Sequence, residues 1–161
     1  MQIKPKLIIG LGNDDPAYTN TYHNVGHMMA DFLREKHPEL KVEKNEGYMN
    51  EAGAAVKKLI KKYSAKPEQT LIIHDDSDIY LGDYKFSFER GSAGHKGVQN
   101  IFDTVKSNDF WRLRIGIRPK PKTEDAPRKK AGGFVLKKIS SADKKVLEDV
   151  FAKAALEISN A

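Results

Sequence analysis

The chain has 161 residues, no cysteine and a formal net charge of +6, with 39% hydrophobic and 31% charged residues. This length and composition predict one globular domain spanning residues 1–161, and they exclude disulfides and thiolate metal sites. No apolar run is long enough to span a membrane, and the first residues enter a strand too early for a signal peptide, so we expect a cytoplasmic protein without membrane contact.

The first predicted elements are a buried strand and an amphipathic helix. An apolar run at residues 7–9 ends at glycine, which is typical of a buried parallel strand. Apolar residues with helical spacing follow from Val25 to Leu33. The loop between them lies at the carboxyl end of the strand, where open α/β sheets bind their ligands. Among its polar side chains, four are candidates for a site: Asn13, Tyr18, His23 and Asn24.

Strands and helices alternate through the rest of the chain. The patterns predict a weak edge strand at 40–46, a helix at 52–63, a buried strand at 71–73, a strand at 84–88, a helix at 98–105, a strand at 111–117 and a last helix after the capping-box residues 140–143. This order predicts a single three-layer α/β domain with a mixed sheet flanked by helices.

Five polar residues stand next to core elements at the predicted strand ends. In an α/β sheet, the chain after residue 9, after residue 73 and around His95 should converge on one crevice. The residues that this places together are His23, Asn13, Asn50, Asp75 and His95. Each one alone is more often a helix cap, a turn former or a solvated polar residue. Their joint placement predicts a site in which the imidazole of His23 is oriented by hydrogen-bonding neighbours.

Positive charge is concentrated near the carboxyl terminus. Residues 118–145 carry ten basic and three acidic residues, a net charge of +7 that exceeds the charge of the whole chain. A solvated loop is one interpretation. The other is a polyanion site, because lysine and arginine gain affinity by neutralising phosphates. The residues predicted to contact phosphate are Arg118, Lys120, Arg128, Lys129 and Lys130, together with Lys96 at the rim of the crevice.

The motifs of the chain resemble those of bacterial peptidyl-tRNA hydrolases. They include Gly-Leu-Gly-Asn at 10–13, the tyrosine at 18, Thr-x-His-Asn-x-Gly at 21–26, Met-Asn at 49–50 and His-Asp-Asp-Ser-Asp at 74–78. Gly-His-Lys-Gly at 94–97 and Arg-Leu-Arg-Ile-Gly-Ile at 112–117 complete the series. Each motif is weak alone, but seven in the same order cover most of the chain.

The resemblance implies a twisted mixed sheet, a monomer and hydrolysis of the ester that joins a peptide to the 3′ end of tRNA. In that interpretation His23 is the catalytic base and Asp75 is the carboxylate that supports it. Asn13 and Asn50 position water, substrate and the tRNA end, and further substrate contacts come from Tyr18, Met49 and His95. No cofactor or metal is expected, because a neutral imidazole can take a proton from water near pH 7.

Two departures from the family pattern leave a second function open. Lys96 replaces the asparagine that usually follows the histidine of the glycine-rich loop, and the segment between His23 and Asn50 is short. The alternative is therefore a tRNA-binding relative with weak or lost hydrolysis. A dinucleotide-dependent oxidoreductase, suggested by Gly10 and Gly12, is disfavoured because Asp15 occupies the third glycine position and would repel a pyrophosphate.

Overall fold

The computed structural model describes residues 2–88, 90–124, 126–127 and 130–160. The strands are β1 (Leu7–Gly10), β2 (Val42–Lys44), β3 (Thr70–Tyr80), β4 (Tyr84–Phe88) and β5 (Trp111–Arg118). The helices are α1 (Val25–Lys36), α2 (Ala52–Lys62), α3 (Lys96–Val105) and α4 (Ser141–Ala155). No helix in these ranges is long and apolar enough to cross a membrane.

The five strands form one mixed sheet in the order β2-β1-β3-β5-β4. The first four strands in this order are parallel to one another, with Ile8 beside both Val42 and Leu71. Strand β4 is antiparallel to β5 and closes one edge. The carboxyl ends of β1, β3 and β5 therefore lie at the same side of the sheet, as the sequence predicted.

Helices cover both faces of the sheet. Alternate residues of a strand point to opposite faces, and so Ile8 packs in a core with α1 and α4, whereas Leu7 and Ile9 pack in a second core with α2 and α3. The amphipathic helices supply the matching apolar sides, and Ser140 caps α4 by accepting a hydrogen bond from the Asp143 N–H group. The predicted three-layer α/β fold is confirmed.

Strand β3 is longer than its apolar run predicted. The prediction ended at residue 73, but the strand continues through His74, Asp75 and Asp76, which lie beside residues of β5. These three polar residues are buried, and the prediction stopped too early because burial of polar side chains is not visible in hydropathy. Asp75 thus projects from a rigid central strand.

The start of α1 touches the end of β1 and the middle of β3. A Cβ atom added to Gly26 would lie 2.4 Å from the Leu11 carbonyl oxygen and 2.5 Å from that of Ile73. These are backbone atoms, so they cannot move aside as a flexible side chain can. Only glycine lets α1 bring His23, which just precedes it, this close to the sheet.

We expect Gly26→Ala to reduce the free energy of unfolding by about 1–3 kcal/mol, because overpacking forces the helix away from the strands. Chemical denaturation measures this difference. Gly133→Ala is the matched control, since a Cβ there meets nothing within 4 Å. Equal stability of the two variants would contradict the close approach.

Candidate active site

Two histidines share one buried aspartate at the carboxyl side of the sheet. The His23 Nδ1 atom lies 2.7 Å from Asp75 Oδ2, and the His95 Nε2 atom lies 2.9 Å from Asp75 Oδ1. Only 2% of the Asp75 side chain is exposed, against 20% of His23. The aspartate is therefore the buried centre of the group, and His23 is its solvent-facing member.

The hydrogen bonds fix which nitrogens carry protons. His95 caps α3, and its Nδ1 accepts a hydrogen bond from the Val98 N–H group at 3.2 Å. Its Nε2 must then be the protonated nitrogen that donates to Asp75. His23 likewise donates from Nδ1, which leaves its Nε2 as an acceptor with no hydrogen-bond partner in the described residues. This is the tautomer that a general base requires.

Charge and burial act in opposite directions on this group. Burial alone would lower the pKa of His23, but the charge and hydrogen bond of Asp75 outweigh it and raise the pKa above 6.5. Burial would raise the pKa of Asp75, yet the two histidines hold that pKa well below its usual range. Asp75 is therefore an anion near neutral pH that stabilises a proton on His23.

Asn13 is held rigidly beside His23. Its N–H group donates to Asn24 Oδ1 at 2.8 Å, its carbonyl accepts from Asn24 Nδ2 at 3.0 Å, and its own Oδ1 accepts from the Met49 N–H group at 2.6 Å. Because Oδ1 is used in this way, the Asn13 amide presents Nδ2 as a donor. The short segment between His23 and Asn50 therefore still delivers Met49 to Asn13.

His23 lies where two cavities meet. The first, of about 370 Å³, includes Asp75, His95 and the glycine-rich loop. The second, a groove of about 340 Å³, includes Asn13, Tyr18, Met49 and Asn50. Three residues line both: His23, Lys96 and Leu136. We call the first the inner cavity and the second the outer groove.

The remaining predicted contacts line these cavities with different exposure. In the outer groove Tyr18 is half-buried, Asn50 is exposed and Met49 is buried. Lys96 is exposed at the first position of α3 and has no ionic or hydrogen-bond partner within the residues that the structure describes. It is thus a free cation at the junction of the cavities, as its predicted place at the rim implies.

The basic segment, residues 118–145, contains both buried and exposed basic residues. Arg118 is only 6% exposed and lies over the Phe134 ring, which argues against the phosphate contact predicted for it. Lys120 and Lys130 are exposed. Arg128 and Lys129, which carry two of the predicted contacts, lie outside the described residues.

Residues 134–139, in the second half of this basic segment, lie against the loop that carries His23. The His23 N–H group donates to the Val135 carbonyl at 2.7 Å, and Lys138 Nζ donates to the Thr19 carbonyl at 2.7 Å. Leu136, which is 54% exposed, lines both cavities. This pairing was not predicted, because residues 134–139 carry no recognisable strand pattern.

The side chains of His23, Asp75 and His95 could also be considered as metal ligands, since their donor atoms lie within 4.8 Å of one another. In this arrangement, however, imidazole nitrogens bond both carboxylate oxygens directly. Such a chain of hydrogen bonds is what proton transfer from a bound water needs. The geometry fits a base with an orienting carboxylate without any added ion.

Sequence comparison identifies relatives across nearly the whole chain. The family model for peptidyl-tRNA hydrolase matches residues 7–46 and 37–160. The peptidyl-tRNA hydrolase of Aquifex aeolicus (strain VF5) is 36% identical over 180 aligned positions, covering 96% of this chain and 91% of the relative. That of Mycolicibacterium gilvum (strain PYR-GCK) is 35% identical, covering 94% and 88%.

Structural comparison leads to the same family. The peptidyl-tRNA hydrolase of Acinetobacter baumannii superimposes with a TM-score of 0.81 at 27% identity, and the match covers 96% of this chain and 86% of that one. Fold, sequence and the grouping of the motif residues around two adjoining cavities agree. The chain belongs to the peptidyl-tRNA hydrolase family.

Proposed function

We propose that this chain hydrolyses the ester between the peptide and the 3′ end of tRNA, with His23 as the general base. The observation that carries the proposal is the hydrogen bond from His23 Nδ1 to Asp75, which leaves Nε2 free at the junction of two cavities. An ester has two substituents, and one cavity on each side of the base suits them both.

In the proposed reaction, a water molecule attacks the ester carbonyl carbon while His23 Nε2 takes its proton. The charge on Asp75 stabilises the imidazolium that forms. The Asn13 Nδ2 group is positioned to donate to the developing oxyanion, because its Oδ1 is already bonded to Met49. The bond to the ribose oxygen then breaks, and the imidazolium returns its proton to that oxygen. The products are tRNA with a free 3′ hydroxyl and a peptide carboxylic acid, which then loses its proton to the solvent.

The direct test is peptide release from an N-blocked aminoacyl-tRNA by the purified protein. The proposal predicts multiple turnovers. The competing function, a tRNA-binding relative with lost hydrolysis, is favoured by the lysine at position 96 and predicts binding without release. The intact group of His23, Asp75 and His95 favours the enzyme, since binding alone does not require a base with a supporting carboxylate.

We further propose that exposed lysines beside the active site bind the tRNA backbone. Lys130 lies two residues before Gly132, which lines the inner cavity, and Lys120 follows β5, whose carboxyl end faces the same side. Lys129 is included in this proposal from its sequence position alone. The protein is proposed to act as a cytoplasmic monomer, because its substrate is an intermediate of translation and one chain contains every proposed catalytic group.

Replacing Lys120 and Lys130 together with alanine should weaken tRNA binding and reduce the slope of log K against log salt by roughly one unit per lost phosphate contact. Binding measured at several salt concentrations gives this slope. The matched control is the double change of Lys57 and Lys58 to alanine, which removes the same charge from the exposed side of α2. Equal slopes for the two double variants would mean that tRNA binds elsewhere.

A further inference from the structure

A buried arginine lies behind the catalytic group, and no carboxylate among the described residues pairs with it. Arg112 is 1% exposed, and it forms no ion pair with the described residues. The carboxylate of the neighbouring Asp76 instead accepts a hydrogen bond from Arg114. The Arg112 Nε atom has no hydrogen-bond partner among the residues that the structure describes. A buried charge without a counter-ion is costly, so the contacts that the Arg112 guanidinium does make must stabilise it in this position.

Those contacts join the two elements that carry the partners of His23. The Arg112 Nη2 atom donates to the Gly91 carbonyl at 2.7 Å and to the Arg90 carbonyl at 3.3 Å, at the start of the glycine-rich loop that leads to His95. Its Nη1 atom lies 3.2 Å from the Nε2 atom of His74, the residue before Asp75 in β3. One guanidinium thus bridges β3 and the loop from its place on β5.

His74 continues this chain of contacts to the active site. Its Nδ1 atom donates to the Asp75 backbone carbonyl at 2.7 Å, and its ring meets the His95 ring edge-on with 4.8 Å between centroids. With Nδ1 donating and Nε2 accepting, His74 must be neutral. Burial, followed by electrostatic interaction with His95 and Arg112, lowers the pKa of His74 to about 3, so this neutral form persists at physiological pH.

The guanidinium also reaches the helix that His95 caps. It lies 5.8 Å from the centre of the Phe102 ring in α3. The orientation of His95 therefore depends on two supports: the Val98 N–H group of its own helix, and the packing of the loop and ring against Arg112 and His74. Neither Arg112 nor its hydrogen bonds reach the outer groove.

We propose that Arg112 and His74 are positioning residues, which hold Asp75 and His95 at bonding distance so that Asp75 can orient His23. This inference rests on the proposed function, since it assigns the pair a role in that reaction. Arg112 supports the site through the backbone carbonyls of the loop and the neutral imidazole of His74. Since no carboxylate of the described residues pairs with the guanidinium, both Nη atoms bridge the two elements.

The first test replaces Arg112 with methionine, which keeps an unbranched apolar side chain but removes the donors. We expect kcat to fall roughly 10- to 100-fold, with KM nearly unchanged because Arg112 lies behind the site. The control is Val150→Ala, a core truncation in α4 that also costs stability. A kcat for Arg112→Met equal to that of the control would overturn the proposal.

The second test compares two replacements of His74 and applies even if Arg112→Met does not fold. Glutamine places an amide oxygen near the Nε2 position and can still accept from Arg112, whereas asparagine is too short to reach it. We expect His74→Gln to keep most of the wild-type kcat and His74→Asn to lose as much as Arg112→Met. The reverse order would exclude the bridge through Arg112.

Histidine tautomers give a readout that does not depend on catalysis. The chain has five histidines, so long-range proton–nitrogen correlation spectra of ¹⁵N-histidine-labelled protein can be assigned by substitution. We expect His95 to carry its proton on Nε2 in wild type and to lose this single tautomer in Arg112→Met. An unchanged His95 tautomer would overturn the positioning role. A wild-type protein that binds tRNA without releasing peptide would instead refute the proposed function, and the tautomers would still test the contacts.

Discussion

Replacing His23 with alanine should lower kcat for peptide release by roughly 10²- to 10⁴-fold, the contribution of a positioned general base. The Nε2 atom of His23 has no competing partner in the described structure and lies at the junction of the two cavities. No other imidazole offers a free nitrogen there, because His74 and His95 use both of theirs in hydrogen bonds.

Affinity for deacylated tRNA should change little in this variant, since one half-buried ring contributes a small part of an extended interface. His37→Ala is the matched control: this histidine follows the last residue of α1, away from both cavities, and its loss should leave kcat unchanged. Near wild-type turnover by the His23 variant would show that another group takes the proton from water.

Replacing Asp75 with asparagine should lower kcat by roughly 10²-fold or more with little change in KM, because Asp75 orients and stabilises the base. Both Asp75 oxygens accept from imidazoles, and an asparagine offers only one acceptor oxygen. One of the two histidines must then lose its hydrogen bond. Steady-state kinetics on N-blocked aminoacyl-tRNA separate the two parameters.

The control for this variant is Asp83→Asn, which removes a carboxylate from the exposed turn between β3 and β4. It should have wild-type kcat and KM. If Asp75→Asn raised KM and left kcat unchanged, Asp75 would be a substrate-binding residue and the proposed support of His23 would be wrong.

Hydropathy was sufficient to predict the layers of this fold. The alternation of short apolar runs with amphipathic segments placed every helix and strand of the sheet, including the weak edge strand that became β2. The length of β3 was not predicted, because His74, Asp75 and Asp76 read as a polar loop. They remain in the strand since partners distant in sequence satisfy their polar groups.

The residues that form the site were easier to predict from the sequence than the hydrogen bonds between them. From their positions at predicted strand ends, His23, Asp75 and His95 were expected to lie together, and the structure places them within hydrogen-bond reach. Asn45 was not predicted, although its side chain bonds both backbone groups of Gly12 and the ring of His27. A single asparagine after an edge strand carries no pattern that identifies such a role.

The burial of two arginines was also not predicted from the sequence. Arg112 and Arg118 were read as parts of a strand motif and of a basic segment, and a charged residue is exposed in most proteins. Both are buried here, Arg112 against the glycine-rich loop and Arg118 over Phe134. Tertiary packing decides which basic residues of this chain remain available to tRNA.

In the proposed mechanism a neutral His23, supported by the charge of Asp75, takes the proton from water. The most direct test is the pH dependence of kcat/KM for wild type and Asp75→Asn. The wild-type rate should fall at acid pH with an apparent pKa above 6.5, the direction in which Asp75 shifts His23. Without the Asp75 charge, burial lowers the pKa of His23, so the acid limb of the variant should move to lower pH. A wild-type rate that stays constant through this range, or an acid limb that does not move in the variant, would contradict the account.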